Sequence, residues 1–295
     1  MVSRNKLDPM VERLEQLLKE QKIPRPFGIF LSGGIDSGLL AVLLKPDFAI
    51  SISYPTEGER YDESKNTKII ADIAGIPLRI IESSKEEFEA NLKKAIKVMG
   101  KPVNFVGLTS LYLLMEQVKD QTIITGDGGD ELFGGYSRYL ILNHIYKLYE
   151  FPELKNYYPM LDSCFGDLHS KLIKKELPLV RDMKTALDLE MKHNLPDLLE
   201  MGNKLAEHFN VNLYQPFLFE SVKDFARNLP MKYKIRGNTT KWILRELIGK
   251  YLPTEIANNK DKRGLPCPVN KWMGWPEFSK DKYLEYQWTH IKNHS

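Results

Sequence analysis

The sequence predicts an α/β fold: a doubly wound parallel sheet followed by a mostly helical C-terminal half. Short, continuously apolar runs alternate with amphipathic stretches between residues 26 and 125. Two glycine-rich loops leave the ends of such runs and enter helical patterns. After about residue 133 the apolar runs give way to long helical periodicity.

The first segment, "MVSRNKLDPMVERLEQLLKE", sets Leu7, Met10, Val11, Leu14, Leu17 and Leu18 at helical spacing among charges, which describes an amphipathic helix rather than a signal peptide. "PFGIFL" (26–31) and "FAISIS" (48–53) are rich in aromatic and β-branched residues and read as buried parallel strands. "SGLLAVLL" between them is a crossover helix. The alternation continues with helix over 61–75, strand over 78–81, helices over 86–98 and 108–118, and strand over 121–125. Residues 181–210 and 218–228 then repeat helically with polar outer faces. The expected organisation is an N-terminal helix (1–25), an α/β region (26–140) and a helical region (141–295).

Composition narrows the function. In 295 residues, 42 basic side chains face 39 acidic ones, mixed along the chain, so no basic stripe points to nucleic acid. Cys164 and Cys267 are too few and too distant for a disulfide framework or zinc site, which fits a reducing, cytoplasmic setting. No apolar run reaches the roughly 18 residues of a membrane span. The six histidines are scattered without metal spacing.

The chemistry concentrates in the two loops. In "SGGIDS" (32–37), Gly33 and Gly34 let the backbone approach an anion, and the following helix offers unpaired N–H groups and its positive dipole end. The lysine that usually completes a phosphate loop is absent. The second loop, "GDGGDELFGGY" (126–136), carries Asp127, Asp130 and Glu131 into a helix. A carboxylate beside a phosphate repels it unless a cation intervenes, so Asp36 and Asp130 point to Mg²⁺ bridging to phosphate oxygens. Such a loop holds a departing pyrophosphate and leaves AMP on the other product.

These residues resemble a known family. "SGGIDS" is similar to the signature of the PP-loop ATP pyrophosphatases, and "GDGGDELFGGY" to the second signature of the synthetase domain of asparagine synthetases and the related β-lactam synthetases. "SISYPTEGERYDESKNTKIIADIAGI" (51–76), "PFL" (216–218), "KWILRELIGKYLPTEI" (241–256) and "KRGLPCPVNKW" (262–272) follow in the family's order. The resemblance covers nearly the whole chain. It implies the PP-loop, adenine nucleotide alpha hydrolase-like fold over 26–140, with 141–295 completing the active site. It also implies an ATP-dependent ligase that activates a carboxylate as an acyl-adenylate, releases pyrophosphate, and lets ammonia or an amine displace AMP.

Carried over residue by residue, the resemblance makes Ser32, Gly33, Gly34, Asp36 and Ser37 the pyrophosphate loop, with Asp36 and Asp130 the Mg²⁺ ligands. Ser53 and Tyr54 hold adenine through their backbone, and Gly126 belongs to the ATP site. Lys262 contacts the α-phosphate and the reacting centre. Asp127 stands where the family usually has a glutamate assisting the amine. Lys241 and Arg245 match the "K..LR" helix, for packing or phosphate contact. Val2 replaces the cysteine that follows the initiator methionine in full-length synthetases, whose glutaminase domain precedes this one. The expected nitrogen source is therefore ammonia or a separate glutaminase subunit, unless the substrate carries its own amine. On the acceptor side Gly100, Asn203, Lys204, Asn212 and Tyr214 replace residues that are usually charged, so a small-molecule carboxylate is expected without aspartate being implied.

Two other functions fit part of this pattern: a PP-loop enzyme that adenylates a tRNA base, which usually adds a basic surface or reactive cysteines, and a non-catalytic nucleotide-binding subunit. Tyr136, Tyr139 and Tyr146, at helical intervals after the acidic loop, read as packing between the two halves rather than a binding cage, and Trp242, Trp272 and Trp275 as core or interface anchors. Cys267 has no nucleophilic part in adenylation.

Overall fold

The computed structural model describes residues 8–58, 61–62, 64–148, 182–259, 265, 267–276 and 280–292. In chain order its elements are α1 (Pro9–Lys19), β1 (Phe27–Phe30), α2 (Ile35–Leu44), β2 (Phe48–Ser53), α3 (Ser64–Ala74), β3 (Leu78–Glu82), α4 (Lys85–Met99), α5 (Leu108–Gln117), β4 (Thr122–Ile124), α6 (Gly129–Phe133), α7 (Arg138–Leu148), α8 (Met183–His208), β5 (Asn212–Tyr214), α9 (Glu220–Asn228), α10 (Trp242–Ile248) and α11 (Lys280–Lys292). The chain forms two compact units. A helical unit comprises Met1–Gln21, Gly126–Leu199 and Gln215–Lys260, and a sheet unit comprises Lys22–Thr125, Glu200–Tyr214 and Asp261–Ser295.

The sheet unit is built on five parallel strands in the order β3-β2-β1-β4-β5. The strand order reverses between β1 and β4, and in a doubly wound sheet ligands bind beyond the carboxyl ends of the strands at that point. Ile29 stands in register with Ala49 on one side and Ile124 on the other. Gly28 lies under the ring of Phe48, where an added Cβ would come within 2.3 Å of ring carbons, so only glycine allows β1 and β2 to close here. Phe27 and Ile29 are 3% and 0% exposed. Each such side chain contributes roughly 1.5–3 kcal/mol on burial.

Helix α2, IDSGLLAVLL, buries nearly every residue, as a helix covered on several faces must. α4 begins with a reciprocal capping box between Ser84 and Glu87 and ends at Gly100, whose φ of +72° closes it left-handedly. The glycine that replaces an expected charged position thus serves as a helix stop. Gln287 of α11 clamps the backbone of Val103: its amide N–H donates to the Val103 carbonyl at 2.8 Å, and its amide oxygen accepts from the Val103 N–H at 2.9 Å. The later half of the chain is mostly helical but also contributes β5. Its pairing with β4 supplies what three residues cannot signal by themselves.

In the helical unit α1 is capped by Asp8, whose Oδ1 accepts from the Met10 N–H at 2.9 Å, and carries Pro9 at its first position. Its apolar face, Val11, Leu14, Leu17 and Leu18, is buried as α1 packs on α9 and α10. Glu15 receives hydrogen bonds from Lys19, Lys250 and Tyr251. Burial would raise its pKa, but these donors outweigh it and hold the carboxyl at about 2. A second cluster joins Tyr139 and Leu142 of α7 to Met183, Ala186, Leu187 and Leu189 of α8 and to Ile235. Tyr139 thus packs within the helical unit, whereas the side chain of Tyr146 lies outside the described residues.

Candidate active site

Between β1 and α2 the chain turns through Leu31–Gly34. Gly33 takes φ +73°, a region costing about 1–2 kcal/mol for a residue with a Cβ. Gly34 is the N-cap and offers no side chain to the first amides of α2. The two serines fold the loop on itself: the Ser32 N–H donates to Ser37 Oγ at 3.1 Å and the two hydroxyls share a hydrogen bond at 3.0 Å. The structure therefore brings Ser32, Gly33, Gly34, Asp36 and Ser37 into one cradle at the start of a ten-residue helix, with Asp36 half-buried in the first turn. Backbone amides and a positive dipole end so arranged form an anion site.

β2 ends beside this loop, since β1 and β2 are parallel neighbours in the same sheet. Ser53 is buried there and its hydroxyl donates to Asp62 Oδ1 at 2.7 Å; the same oxygen accepts the Ser64 N–H at 2.9 Å at the start of α3. Burial would raise the Asp62 pKa, but these bonds win and lower it. The Tyr54 side chain is fully buried, its hydroxyl 2.6 Å from Ser110 Oγ and its ring edge-on to Trp272 with centroids 5.4 Å apart. Its N–H donates to the Tyr61 carbonyl at 3.3 Å, and the Ser53 carbonyl accepts the Ser83 N–H at 3.1 Å. Nearby Cys267 is buried and its thiol is pushed up to about 12, mainly by desolvation, which leaves it no nucleophilic character at neutral pH.

The second loop follows Thr125, the residue after β4, and belongs to the helical unit. Gly126 and Gly129 close a turn around half-buried Asp127, and Gly128 takes φ +87° with Leu218 against its missing Cβ position. α6 then carries Asp130 and Glu131 and stops at Gly134, φ +70°. Asp130 Oδ1 lies 2.7 Å from the ammonium of Lys241, the two side chains being 13% and 5% exposed. A Cβ on Gly135 would stand 1.8 Å from Asp130 Oδ1 and 2.2 Å from Lys241 Cε, so a larger residue there would make the pair shift. Lys241 itself sits at φ +51° as the N-cap of α10, a strained backbone for a lysine.

Glu131, 2% exposed, accepts a hydrogen bond from the Tyr136 hydroxyl. Burial first, then the charges of Glu131 and Asp130, push the phenol far above its ordinary range. The guanidinium of Arg138 lies 4.0 Å above the Tyr136 ring. Arg245 is buried and donates to the backbone carbonyls of Thr240 at 2.8 Å, Ala257 at 2.8 Å and Asn259 at 2.9 Å, so it ties the chain that leaves the helical unit. Lys262 lies outside the described residues, as do Cys164 and Gly264.

A divalent ion fits this chemistry. Asp130 already faces a cation, the Lys241 ammonium, at 2.7 Å. Among the described residues no group of three or more His, Cys, Asp or Glu side chains could hold a metal. The ion pair of Lys241, the bond from Tyr136 to Glu131 and the Asp62 anchor of Ser53 were not foreseen from the sequence. The paired glycines 134 and 135 beside an acidic helix are the one written hint of the first.

Of the residues expected on the acceptor side, Lys204 pairs with Glu200 at 2.7 Å on the outer face of α8, and Asn203 is exposed. Asn212 and Tyr214 lie on β5, where the Tyr214 carbonyl accepts the Thr125 N–H at 3.0 Å. Among the described residues no helix is long and apolar enough to cross a membrane.

Residues 12–282 match the model of the family described as asparagine synthase. The chain is similar to asparagine synthetase [glutamine-hydrolyzing] 1 of Bacillus subtilis (strain 168), 25% identical over 304 residues that cover 84% of this chain and 47% of that protein. It is also similar to the putative asparagine synthetase [glutamine-hydrolyzing] 1 of Methanocaldococcus jannaschii, at 28% over 76% of this chain and 37% of that one. Asparagine synthetase B [glutamine-hydrolyzing] of Escherichia coli (strain K12) is 23% identical over 79% of this chain and 39% of its own. The chain spans about half the length, or less, of these relatives.

Proposed function

Because the chain belongs to the asparagine synthase family, we propose that it is an ATP-dependent amide-forming ligase working through an acyl-adenylate. The observation that carries this reading is the lysine-free loop between β1 and α2. Its left-handed Gly33, side-chain-free N-cap and inward-folded serines suit a polyphosphate that leaves, rather than one whose terminal phosphate is transferred.

In the first step a carboxylate oxygen of the substrate attacks the α-phosphorus of ATP. The bond from that phosphorus to the bridging oxygen breaks, and pyrophosphate departs. The amides of Gly33 and Gly34, the α2 N-terminus and the hydroxyls of Ser32 and Ser37 receive the charge that grows on the leaving group. Ser53 and Tyr54 support adenine at the end of β2, and Gly126 lines the nucleotide. Lys262 supplies positive charge to the α-phosphate. Mg²⁺, held through Asp36 and Asp130, would neutralise phosphate charge when bound.

In the second step ammonia or an amine attacks the acyl carbon, the bond to AMP breaks, and Asp127 takes the proton lost by nitrogen. The nitrogen comes from ammonia, free or released by a glutaminase, or from an amine that the substrate carries. The acceptor is a small carboxylate, and aspartate has no privileged claim, since Lys204 is engaged with Glu200 and Gly100 ends a helix. The protein incubated with ATP, Mg²⁺, ammonium and a panel of carboxylates is expected to form AMP and pyrophosphate with at least one of them. ADP and phosphate as products would overturn the reading.

A further inference from the structure

We propose that the cavity at the amino ends of β2 and β3, where Arg79 and Gln117 stand over an apolar floor, binds a small carboxylate with an apolar body. The site goes beyond the ligase reading and does not depend on it. The strands are parallel, so this end of the sheet is opposite the loop at 32–37, which follows the carboxyl end of β1.

The cavity measures about 320 Å³, is half-open to solvent and lies wholly within the sheet unit. That volume stands at the lower end of the roughly 300–1,000 Å³ of ligand pockets. Pairing of β2 with β3 sets Ile50 in register with Arg79, which turns both side chains to one face, and the end of α5 covers that face with Gln117 and Val118. Of the lining residues, Ala49, Ile50 and Val118 are 1%, 2% and 1% exposed, and Phe48 joins them. Close-packed interiors leave few voids larger than one water, whereas this space admits about ten at ~30 Å³ each. Water held against apolar walls gains by returning to bulk, so an apolar body of about ten non-hydrogen atoms displaces it favourably.

Arg79 supplies the charge. Its Nη2 donates to Gln117 Oε1 at 2.6 Å, a neutral partner, and among the described residues no carboxylate pairs with it. A guanidinium offers five N–H donors in a planar fork that matches a carboxylate, so most of its capacity is open to a ligand. Asp120, the carboxylate next to Gln121 in the chain, is engaged by Asn210 Nδ2 at 2.8 Å. The carboxyl end of α5 carries partial negative charge and opposes an anion, which sets the affinity on the order of 1 mM rather than tighter.

The test is a titration of the full chain with 3-phenylpropionate, read from the broadening of its ring-proton resonances, beside 3-phenylpropanamide, which has the same body without the charge. The acid is expected to bind with a Kd on the order of 1 mM and the amide about tenfold more weakly. Arg79 is exposed, so Arg79→Met should fold as the parent does and bind the acid no better than the amide. Gln117→Trp fills the space and should abolish binding of both. 

Equal affinity for acid and amide in the parent, unchanged binding in Arg79→Met, or no binding by the parent would overturn the proposal. Acid binding that survives Gln117→Trp would place the ligand elsewhere on the chain and overturn it too. Should Gln117→Trp fail to fold, Arg79→Met decides alone. The ligase reading stands or falls separately, since none of these outcomes bears on AMP formation.

Discussion

At Gly135 a methyl group would overlap both Asp130 Oδ1 and Lys241 Cε, so the ion pair would have to shift to admit it. Gly135→Ala is expected to lower unfolding free energy by about 1–3 kcal/mol in urea titrations, as overpacking does, and to reduce AMP formation with it. Asp36→Asn should retain the parent melting temperature within a few degrees, whereas Asp130→Asn should lower it because it takes the counter-charge from the buried Lys241 ammonium; both should lose AMP formation by about a hundredfold or more, as removal of transition-state charge stabilisation does. Retained activity in either variant would overturn the metal role proposed for that residue. At this scale the sequence was legible wherever function lies in consecutive residues: Ser32 to Ser37 fall into one loop because the chain cannot place them elsewhere. It was illegible where partners come from distant segments, as with Lys241 and Asp130 or Arg245 and the carbonyls of Ala257 and Asn259. Nothing in a one-dimensional pattern distinguishes a lysine that faces phosphate from one that faces a carboxylate.

The elements were readable in proportion to how much of their stability is local. α4 carries its own capping box and glycine stop, β2 its own apolar run, and both follow the sequence pattern closely. β5 has three residues and exists by its pairing with β4, so tertiary context decided it. α1 shows how a charged residue adds to what an apolar face already holds. The folded pKa of Glu15, about 2, lies below its ordinary 4.5. A depressed acid contributes stability that is fully present above the unfolded value and is lost as pH falls from there through the folded one. The stability gap between the parent and Glu15→Gln, measured by urea unfolding, should therefore be widest above pH 4.5 and close as the pH approaches 2. A constant gap across that range would show that Glu15 acts through packing alone.

Over the whole molecule, the chain passes repeatedly between its two units: the helical unit takes its first 21 residues, a middle stretch and Gln215–Lys260, while the sheet unit takes the segments between and the end. The sequence marks where strands give way to helices but not such returns, because the return to the sheet rests on β5 and carries little periodicity. Residues 26–140 expressed alone are accordingly expected to expose the edge of β4 that β5 covers and to aggregate by light scattering. The central claim concerns the bond that this chain cuts. It is tested most directly by exchange of labelled pyrophosphate into ATP, with Mg²⁺ and each of a panel of carboxylates and no nitrogen donor. The account predicts exchange that depends on the carboxylate and disappears in Asp36→Asn and Asp130→Asn. ATP bound but exchanging with no carboxylate, or cleaved to ADP and phosphate, would contradict it.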